Sequence, residues 1–476
     1  MNNSRHRGVR KVVLCCADGE HALIEQNRGA EAVLLTTASL LRSVYPEAEF
    51  VTTIQCSEEL ARQTGWRVLR NRCFRTKHFS VVTTMHSILR LAGALMLRPL
   101  PADLRRKVVR AVGGRKMREY HSADLVVHIG MDLFSEDFGL ITVVEHSLDV
   151  FLAVALGKPV VFWAESIGPF RRRAYRALAK SVLKRVALTM VREEVSERNV
   201  LELGIADNRV HHTADPAFLL EPQMTHEARG FIDSVPRKDG DSSTGVCLTL
   251  GYLAGGMRPA RRSAFLRDTY RTLQYLLPEP VMLRVVRLAG KLGLYSSPLD
   301  INTPYVKRLA ALVDIVLAET PGPIIFVPHI SGGGPVMSEQ SLHEHVRQIT
   351  TQPQRIVVLP SHMTAAEIKA IIGMCDLFIG FRMHANIAAL SQCIPTVGIS
   401  YSHKFRGIMQ ALGQAQRVQP ALDPMEAAEA VRNALDNAAT VRAELELRIP
   451  GMHAAAHRNA ELCATAWPAD ATRHQQ

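Results

Sequence analysis

The chain has 476 residues, is 47% hydrophobic with a mean hydropathy of +0.02, and carries a formal charge of +12. That length is too great for one ordinary core, so two domains are expected. No apolar run reaches the length of a bilayer span, and eight scattered cysteines with no Cys-x-x-Cys pair point to reduced thiols and give no metal-ligand spacing. The charge is uneven. Residues 67–118 hold 14 Lys/Arg against one acid, Asp103, and the rest of the chain is near neutral. A local basic patch calls for a local anionic partner.

The first 20 residues are basic, but their apolar run is broken by Asp18 and Glu20 and is too short for a signal peptide. They read as a first buried strand, 12–17. Asn27-Arg28-Gly29 then opens a helix to about residue 44. A Gly-containing loop before a helix lets backbone N–H groups approach an anion or a sugar; an ordinary βα turn is the equal alternative. A strand at 50–54 precedes the basic region. Within it, 79–97 is apolar around Arg90 and stops at Pro99 and Pro101. It reads as an amphipathic helix on an anionic membrane or as a buried helix with a solvated Arg. The aromatic interleaving of a single-strand nucleic-acid groove is missing, so no nucleic acid is expected.

A strand at 124–129 ends in Gly130-Met131-Asp132, where Asp132 accepts from hydroxyls or caps a turn. A helix at 143–156 leads to a strand at 159–163, with Glu165 and Ser166 at its carboxyl end. After a basic helix, 173–185, the strand 188–191 presents Arg192, which reaches an anion or is satisfied by Glu193 or Glu194. The strand 210–213 ends in Asp215-Pro216, a turn former. Residues 221–244 are polar and read as a linker, which divides the chain into domains 1–225 and 226–476.

The second half repeats the alternation. Strands are expected at 245–250, 323–328 and 355–359, helices at 261–277 and 306–319, and an irregular stretch at 278–305. His329 ends one strand ahead of Gly332-Gly333-Gly334, three glycines that permit close ligand approach. His343 and His345 read as a solvated helix surface. Thr364 and Glu367 form a capping box. Next come a strand at 377–381, a helix at 385–391 and a strand at 395–401, with Arg382 and His384 at the first strand-to-helix turn and His403 and Lys404 after the second strand. Ligands in open α/β sheets bind at that end. A cation at a positive helix N-terminus is misplaced unless an anion lies between them. Arg382 and Lys404 therefore read as an anion cradle, with His384 as the acid/base beside it. A last helix, 424–448, is expected to cross back over the first domain. The fold class is α/β, with two facing Rossmann-like domains.

The stretch IGFRMHANIAALSQCIPTVGISYSHKFRGIMQALG resembles the C-terminal signature of the polysaccharide pyruvyl transferase family, at Gly380, Arg382, His384, Pro395, Tyr401, Lys404 and Gly413. NRGAEA is similar to an N-terminal motif of that family through Asn27, Gly29 and Glu31, with Ala30 standing where an Asp is usual. GMDLFSEDFG, the Gly168-Pro169-Phe170 turn, Arg192-Glu193-Glu194-Val195-Ser196 and Asp215-Pro216-Ala217-Phe218 resemble further family elements. His329 resembles a family histidine, with Glu339 as the acid expected after it.

The resemblance implies a GT-B-like architecture and transfer of pyruvyl from phosphoenolpyruvate, as co-substrate, to saccharide hydroxyls, giving a ketal in polysaccharide or glycolipid synthesis. It implies His384 and Arg382 as catalytic residues. Arg382, Lys404, Arg192 and His329 would bind the donor, and Asn27, Gly29, Asp132, Glu165 and Ser166 the acceptor. No other cofactor and no metal is implied. The expected location is cytoplasmic, at the inner membrane face if the acceptor is lipid-linked. The residues by themselves read equally as a GT-B glycosyltransferase holding a nucleotide-sugar diphosphate in the same cradle. A third reading is a non-catalytic polyanion- or membrane-binding protein built on 67–118.

Overall fold

The computed structural model describes residues 8–16, 27–69, 81–236, 245–251, 281, 284–285, 288, 304–330, 339–399, 403–419 and 423–469. The first half builds strands β1 (Lys11–Cys15), β2 (Glu49–Thr52), β3 (Arg67–Val68), β4 (Leu125–His128), β5 (Val160–Glu165), β6 (Leu188–Val191) and β7 (Val210–His212). Its helices are α1 (Arg28–Val44), α2 (Glu58–Thr64), α3 (Val81–Leu97), α4 (Ala102–Val112), α5 (Arg115–Ser122), α6 (Leu140–Ala155), α7 (Arg173–Leu183) and α8 (Glu194–Leu201). The second half builds β8 (Val246–Thr249), β9 (Ile324–Phe326), β10 (Ile356–Val358), β11 (Leu377–Gly380), β12 (Thr396–Ile399) and β13 (Val418–Gln419). Around them lie α9 (His226–Ser234), α10 (Pro304–Glu319), α11 (Glu339–Ile349), α12 (Ala365–Ile372), α13 (Met383–Leu390), α14 (His403–Ala411), α15 (Pro424–Asp436) and α16 (Ala438–Ala466).

The strands form two parallel sheets, ordered β3-β2-β1-β4-β5-β6-β7 and β10-β9-β8-β11-β12-β13. Both faces of each sheet are covered, so the strands are near-continuous apolar runs. In β1, Val12 and Leu14 enter one core while Val13 and Cys15 enter the other, the period-two alternation of a strand. β8 repeats this, with Val246 and Leu248 on one side and Cys247 on the other. Strand order reverses between β1 and β4 in the first sheet and between β8 and β11 in the second. Those two crevices are where an open α/β sheet offers a ligand site.

The halves are stitched together at the start of α1. Asn27 caps that helix by accepting from the N–H groups of Gly29 (3.0 Å) and Ala30 (3.3 Å). It also pairs as an antiparallel bridge with Ile330, and the Arg28 N–H donates to the His329 carbonyl at 3.0 Å. Arg28 Nη2 reaches the Ser361 carbonyl (2.8 Å), and the Ala365 N–H donates to Glu31 Oε1 (3.1 Å). At the far end, α16 returns to the first half and packs on α1. Val441, Leu445 and Ile449 join the core that contains Leu34 and Leu41, and Asn459 Nδ2 donates to the Ala214 carbonyl at 3.0 Å.

Several sequence expectations need correction. The linker at 221–244 contains helix α9, because Thr225 caps it through the Ala228 N–H (3.1 Å) and Ala228 and Ile232 are buried. In 278–305, the described residues Val281, Arg284, Val285, Leu288, Pro304 and Tyr305 are helical, not irregular. The expected helix at 261–277 lies outside the described residues. The last helix is two, broken at Asn437, so α15 serves the second core while α16 crosses to the first. His343 is not on a solvated surface. It is fully buried, with Nε2 3.1 Å from the backbone of Leu250, and burial lowers its pKa to about 4. Cys247 and Cys375 lie side by side, Cα–Cα 6.0 Å, brought together by the β8–β11 pairing across 128 residues of sequence, so these two are paired in space and not scattered.

Leu445→Ala should cost about 2–5 kcal/mol in urea unfolding, because it opens a cavity under the returning helix. Leu447→Ala, at 83% exposure two residues on, should change stability by less than about 0.5 kcal/mol. Equal effects would show that α16 does not share the core of the first half.

Candidate functional site

The crevice between β8 and β11 sets the first part of the site. Thr249 Oγ1, at the end of β8, accepts the Phe381 N–H at 3.0 Å and fixes the turn that leaves β11. Arg382 then stands at the N-cap of α13. Its Nε donates to Glu339 Oε1 at 2.5 Å, while Glu339 Oε2 accepts the N–H groups of His329 (2.7 Å) and Ile330 (2.9 Å). Glu339 thus ties Arg382 to the carboxyl end of β9. Gly251 leaves the space this requires, since a Cβ there would sit 3.1 Å from Arg382 Nε.

One residue beyond the first turn position, His384 crosses to the other half. Its Nε2 lies 3.4 Å from Asp215 Oδ2 and 3.5 Å from Arg192 Nη1. The ring packs against Gly29, where a Cβ would fall 2.4 Å from Nδ1. No other residue type fits at 29 without moving the imidazole. Arg192 and Asp215 are buried and pair at 2.5 Å. Burial alone would raise the Asp215 pKa, but Arg192 and His384 hold it well below the carboxylate range. Burial likewise works against the Arg192 charge, and Asp215, Glu193 and Asp132 outweigh it. Arg192 Nε donates to Ser166 Oγ (2.8 Å), which donates to Glu193 Oε2 (2.9 Å). Arg192 Nη2 is buried and has no hydrogen-bond partner among the described residues.

The remaining candidates fall around this pair. His329 is 4% exposed, with neither ring nitrogen partnered among the described residues. Burial first, then His384, Arg382 and Arg28, push its pKa well down, so the ring is neutral. Glu165 is fully buried, and its Oε1 accepts the Gly130 N–H (2.9 Å) and meets His128 Nδ1 at 2.5 Å. A bulge between Phe162 and Glu165, with Ala164 at φ 48, turns the end of β5 and aims Glu165 under the 129–132 turn. Asp132 lies close enough to Arg192 to raise its pKa. Asn27 and Gly29 sit at the α1 N-terminus, one capping and one receiving His384. The Lys404 side chain lies outside the described residues, although its backbone is in α14. Among the described residues no group of His, Cys, Asp and Glu suits a metal.

Two residues of the site escaped the sequence reasoning. Arg28 lies inside NRGAEA but was not assigned a role; it stands beside His329 and bridges to Ser361. Asp215 looked like a turn former, and it does accept the Ala217 N–H at 2.9 Å. Its other oxygen, however, faces Arg192 and His384. The signal available was an acid at the carboxyl end of a strand.

A model of the polysaccharide pyruvyl transferase family matches residues 27–403. The chain belongs to that family. The matched span starts at the Asn27 cap and ends one residue before Lys404, so every other residue above lies within it. Among curated proteins, this family member is 26% identical over 328 residues to the amylovoran biosynthesis protein AmsJ of Erwinia amylovora, covering 68% of this chain and 67% of that one. Among solved structures it resembles a putative UDP-N-acetylglucosamine 2-epimerase from Listeria monocytogenes (TM-score 0.57, 12% identity, 96% of each chain). It also resembles S. aureus MnaA with UDP (TM-score 0.53, 10% identity, 97% of this chain and 99% of that one). At such identities the likeness is one of fold, and that fold is GT-B-like, with two facing parallel-sheet domains.

Asp215→Asn should strand the buried Arg192 charge and cost about 3–5 kcal/mol in denaturant unfolding at pH 7. Because the folded Asp215 pKa is depressed, its contribution is present above the unfolded value of about 3.9 and fades as pH falls toward the folded value. The gap between wild type and variant should therefore shrink below about pH 4. A gap that does not change with pH would remove the Arg192–Asp215 charge from the account.

Proposed function

We propose that the protein transfers the pyruvyl group of phosphoenolpyruvate to two hydroxyls of a saccharide, leaving a cyclic ketal and inorganic phosphate. The supporting observation is the meeting of His384, from the second half, with the buried Arg192–Asp215 pair of the first, two residues on from Arg382. An acid/base thus lies among cations at a helix N-terminus. The substrate carries a phosphate and a carboxylate and needs several fixed cations. Arg382 supplies one, and the unpartnered Arg192 Nη2 another. Lys404 follows from the family signature. The neutral His329 ring brings buried nitrogens that want partners.

In this mechanism His384 delivers a proton to the methylene carbon of the enol, and a saccharide hydroxyl oxygen bonds to C2. The hydroxyl proton returns to the base, and the bond from C2 to the phosphate oxygen breaks. The second hydroxyl then attacks C2 and closes the ketal, its proton leaving with the phosphate. Arg382 and Arg192 stabilise the departing phosphate charge. Asp215 orients His384. Asn27, Gly29 and Asp132 stand on the acceptor side, and Glu165 and Ser166 act by bracing the turns that carry Asp132 and Arg192. The likeness to AmsJ extends the proposal to assembly of a polysaccharide. Phosphoenolpyruvate is a cytoplasmic metabolite, which puts the reaction there.

Calorimetric titration should give phosphoenolpyruvate binding that Arg382→Ala weakens by about tenfold or more, since charged hydrogen bonds are lost. His384→Ala should keep that binding and slow phosphate release by about 10²–10⁴. Binding of a UDP-sugar with no response to phosphoenolpyruvate would replace pyruvyl transfer with a nucleotide-sugar reaction. Gly29→Ala should lower turnover by about tenfold or more and lower the melting temperature as well, because the added Cβ meets His384 Cβ and Cγ, a clash that turning the ring cannot relieve. Unchanged turnover would dissociate His384 from the chemistry.

A further inference from the structure

Helix α3 presents an apolar face to water. Counted at 100° per residue, Met85, Ile88, Leu89, Leu95 and Met96 fall within one sector of its surface. All five are exposed, Met96 at 77% and Leu89 at 61%. The opposite side is the buried one, where the small residues Ser87 and Ala94 are flanked by the partly buried Leu91 and Leu97, which pack against the core of the first sheet. Thr84 Oγ1 donates to Glu145 Oε1 of α6 at 3.3 Å. An ordinary surface helix keeps its outer side polar, whereas α3 is apolar on the side that meets water as well as through Leu91 and Leu97 on the side that packs. Exposed apolar residues recur on the next helix, α4, at Leu104 and Val112. Contiguous apolar surface of this kind marks a site that is covered in use.

The charge around that sector names the cover. Arg98, Arg106, Lys107, Arg110, Arg115 and Arg118 are all exposed, and the acid among them is Asp103. The concentration of positive charge is visible in its neighbours. After burial, Lys158, Arg105, Arg106 and Arg110 depress the His121 pKa. An apolar strip bordered by Lys and Arg is complementary to acyl chains beneath anionic headgroups. It is not complementary to a second copy of itself, which would bring like charges together. The helix is 17 residues long, and none of the described helices is long and apolar enough to cross a membrane, so the contact lies in the plane of the interface.

We propose that α3 and α4 form a membrane-docking surface that lays the exposed apolar side of α3 into the headgroup layer of an anionic bilayer, held by the basic residues of α4 and α5. Docked in this way, the cleft works on saccharides carried by lipids, a consequence that rests on the pyruvyl transfer proposed above.

Sedimentation with vesicles tests the docking without turnover, so its failure leaves the reaction untouched. The full chain should bind phosphatidylglycerol-rich vesicles and not pure phosphatidylcholine, with binding weakened by salt. The variant L89D/M96D should lose binding by about tenfold or more through loss of the apolar contact, and R106E/K107E/R110E should do the same through charge. Met96→Trp provides a positive signal, an indole emission that shifts blue on vesicles and is quenched by brominated acyl chains. Melting curves check that each variant is folded. No binding of wild type to anionic vesicles, equal binding by the variants, or an unshifted Met96→Trp emission would each overturn the proposal. So would a dimer in solution that L89D/M96D abolishes, since the strip would then be an interface between copies.

Discussion

A guanidinium buried away from water has to be neutralised where it stands, and most of this site follows from how Arg192 meets that demand. Asp215 takes the charge at 2.5 Å through the oxygen that also faces His384 of the opposite half, at 3.4 Å. Burial disfavours both ions separately, and their mutual attraction in a dry setting reverses that for each. The pair is therefore a rigid object. It cannot rotate away without exposing an unpaired ion, so it gives His384 a fixed partner across the domain boundary.

The same constraint explains why the boundary is drawn where it is. The start of α1 must accept His384 against Gly29 while its first turn is held by the second half, through Ile330, Ser361 and Ala365. Glu339 does the equivalent for Arg382, locking it to the end of β9. Arg192 and Arg382 thus each have an acid that belongs to a different element, whereas Arg28 pairs with Glu31 in its own helix at 2.7 Å. These acids fix position as much as charge, because a long side chain loses rotamer freedom when its head is tied down. α16 closes the arrangement from behind by adding its apolar face to the first core.

Much of the scaffold was legible in the chain. Parallel strands buried on both faces read as short apolar runs, and their ends fell within a few residues of β1, β4, β6 and β11. The turn carrying Arg382 and His384 was visible for the same reason, since a strand followed directly by a small-residue helix leaves few places for two polar side chains. What misled was local polarity. The 221–244 stretch looks like a linker, yet Thr225 and two apolar residues suffice for α9. His343 looks solvated beside Glu344 and His345, but helical spacing separates it from both and turns it into the core.

The sequence by itself determined the two-domain α/β architecture, the family signature and the set of basic and acidic residues at strand ends, because each is written in local periodicity or in spacing along the chain. Tertiary structure alone decided the partners. That Asp215 is the nearest acid to Arg192, ahead of Glu193, and that Gly29 receives His384 are contacts across tens to hundreds of residues, and the exposed apolar side of α3 is likewise set by what packs behind it. Side-chain direction at such contacts depends on which elements the folded sheets bring face to face, and no local pattern carries that information.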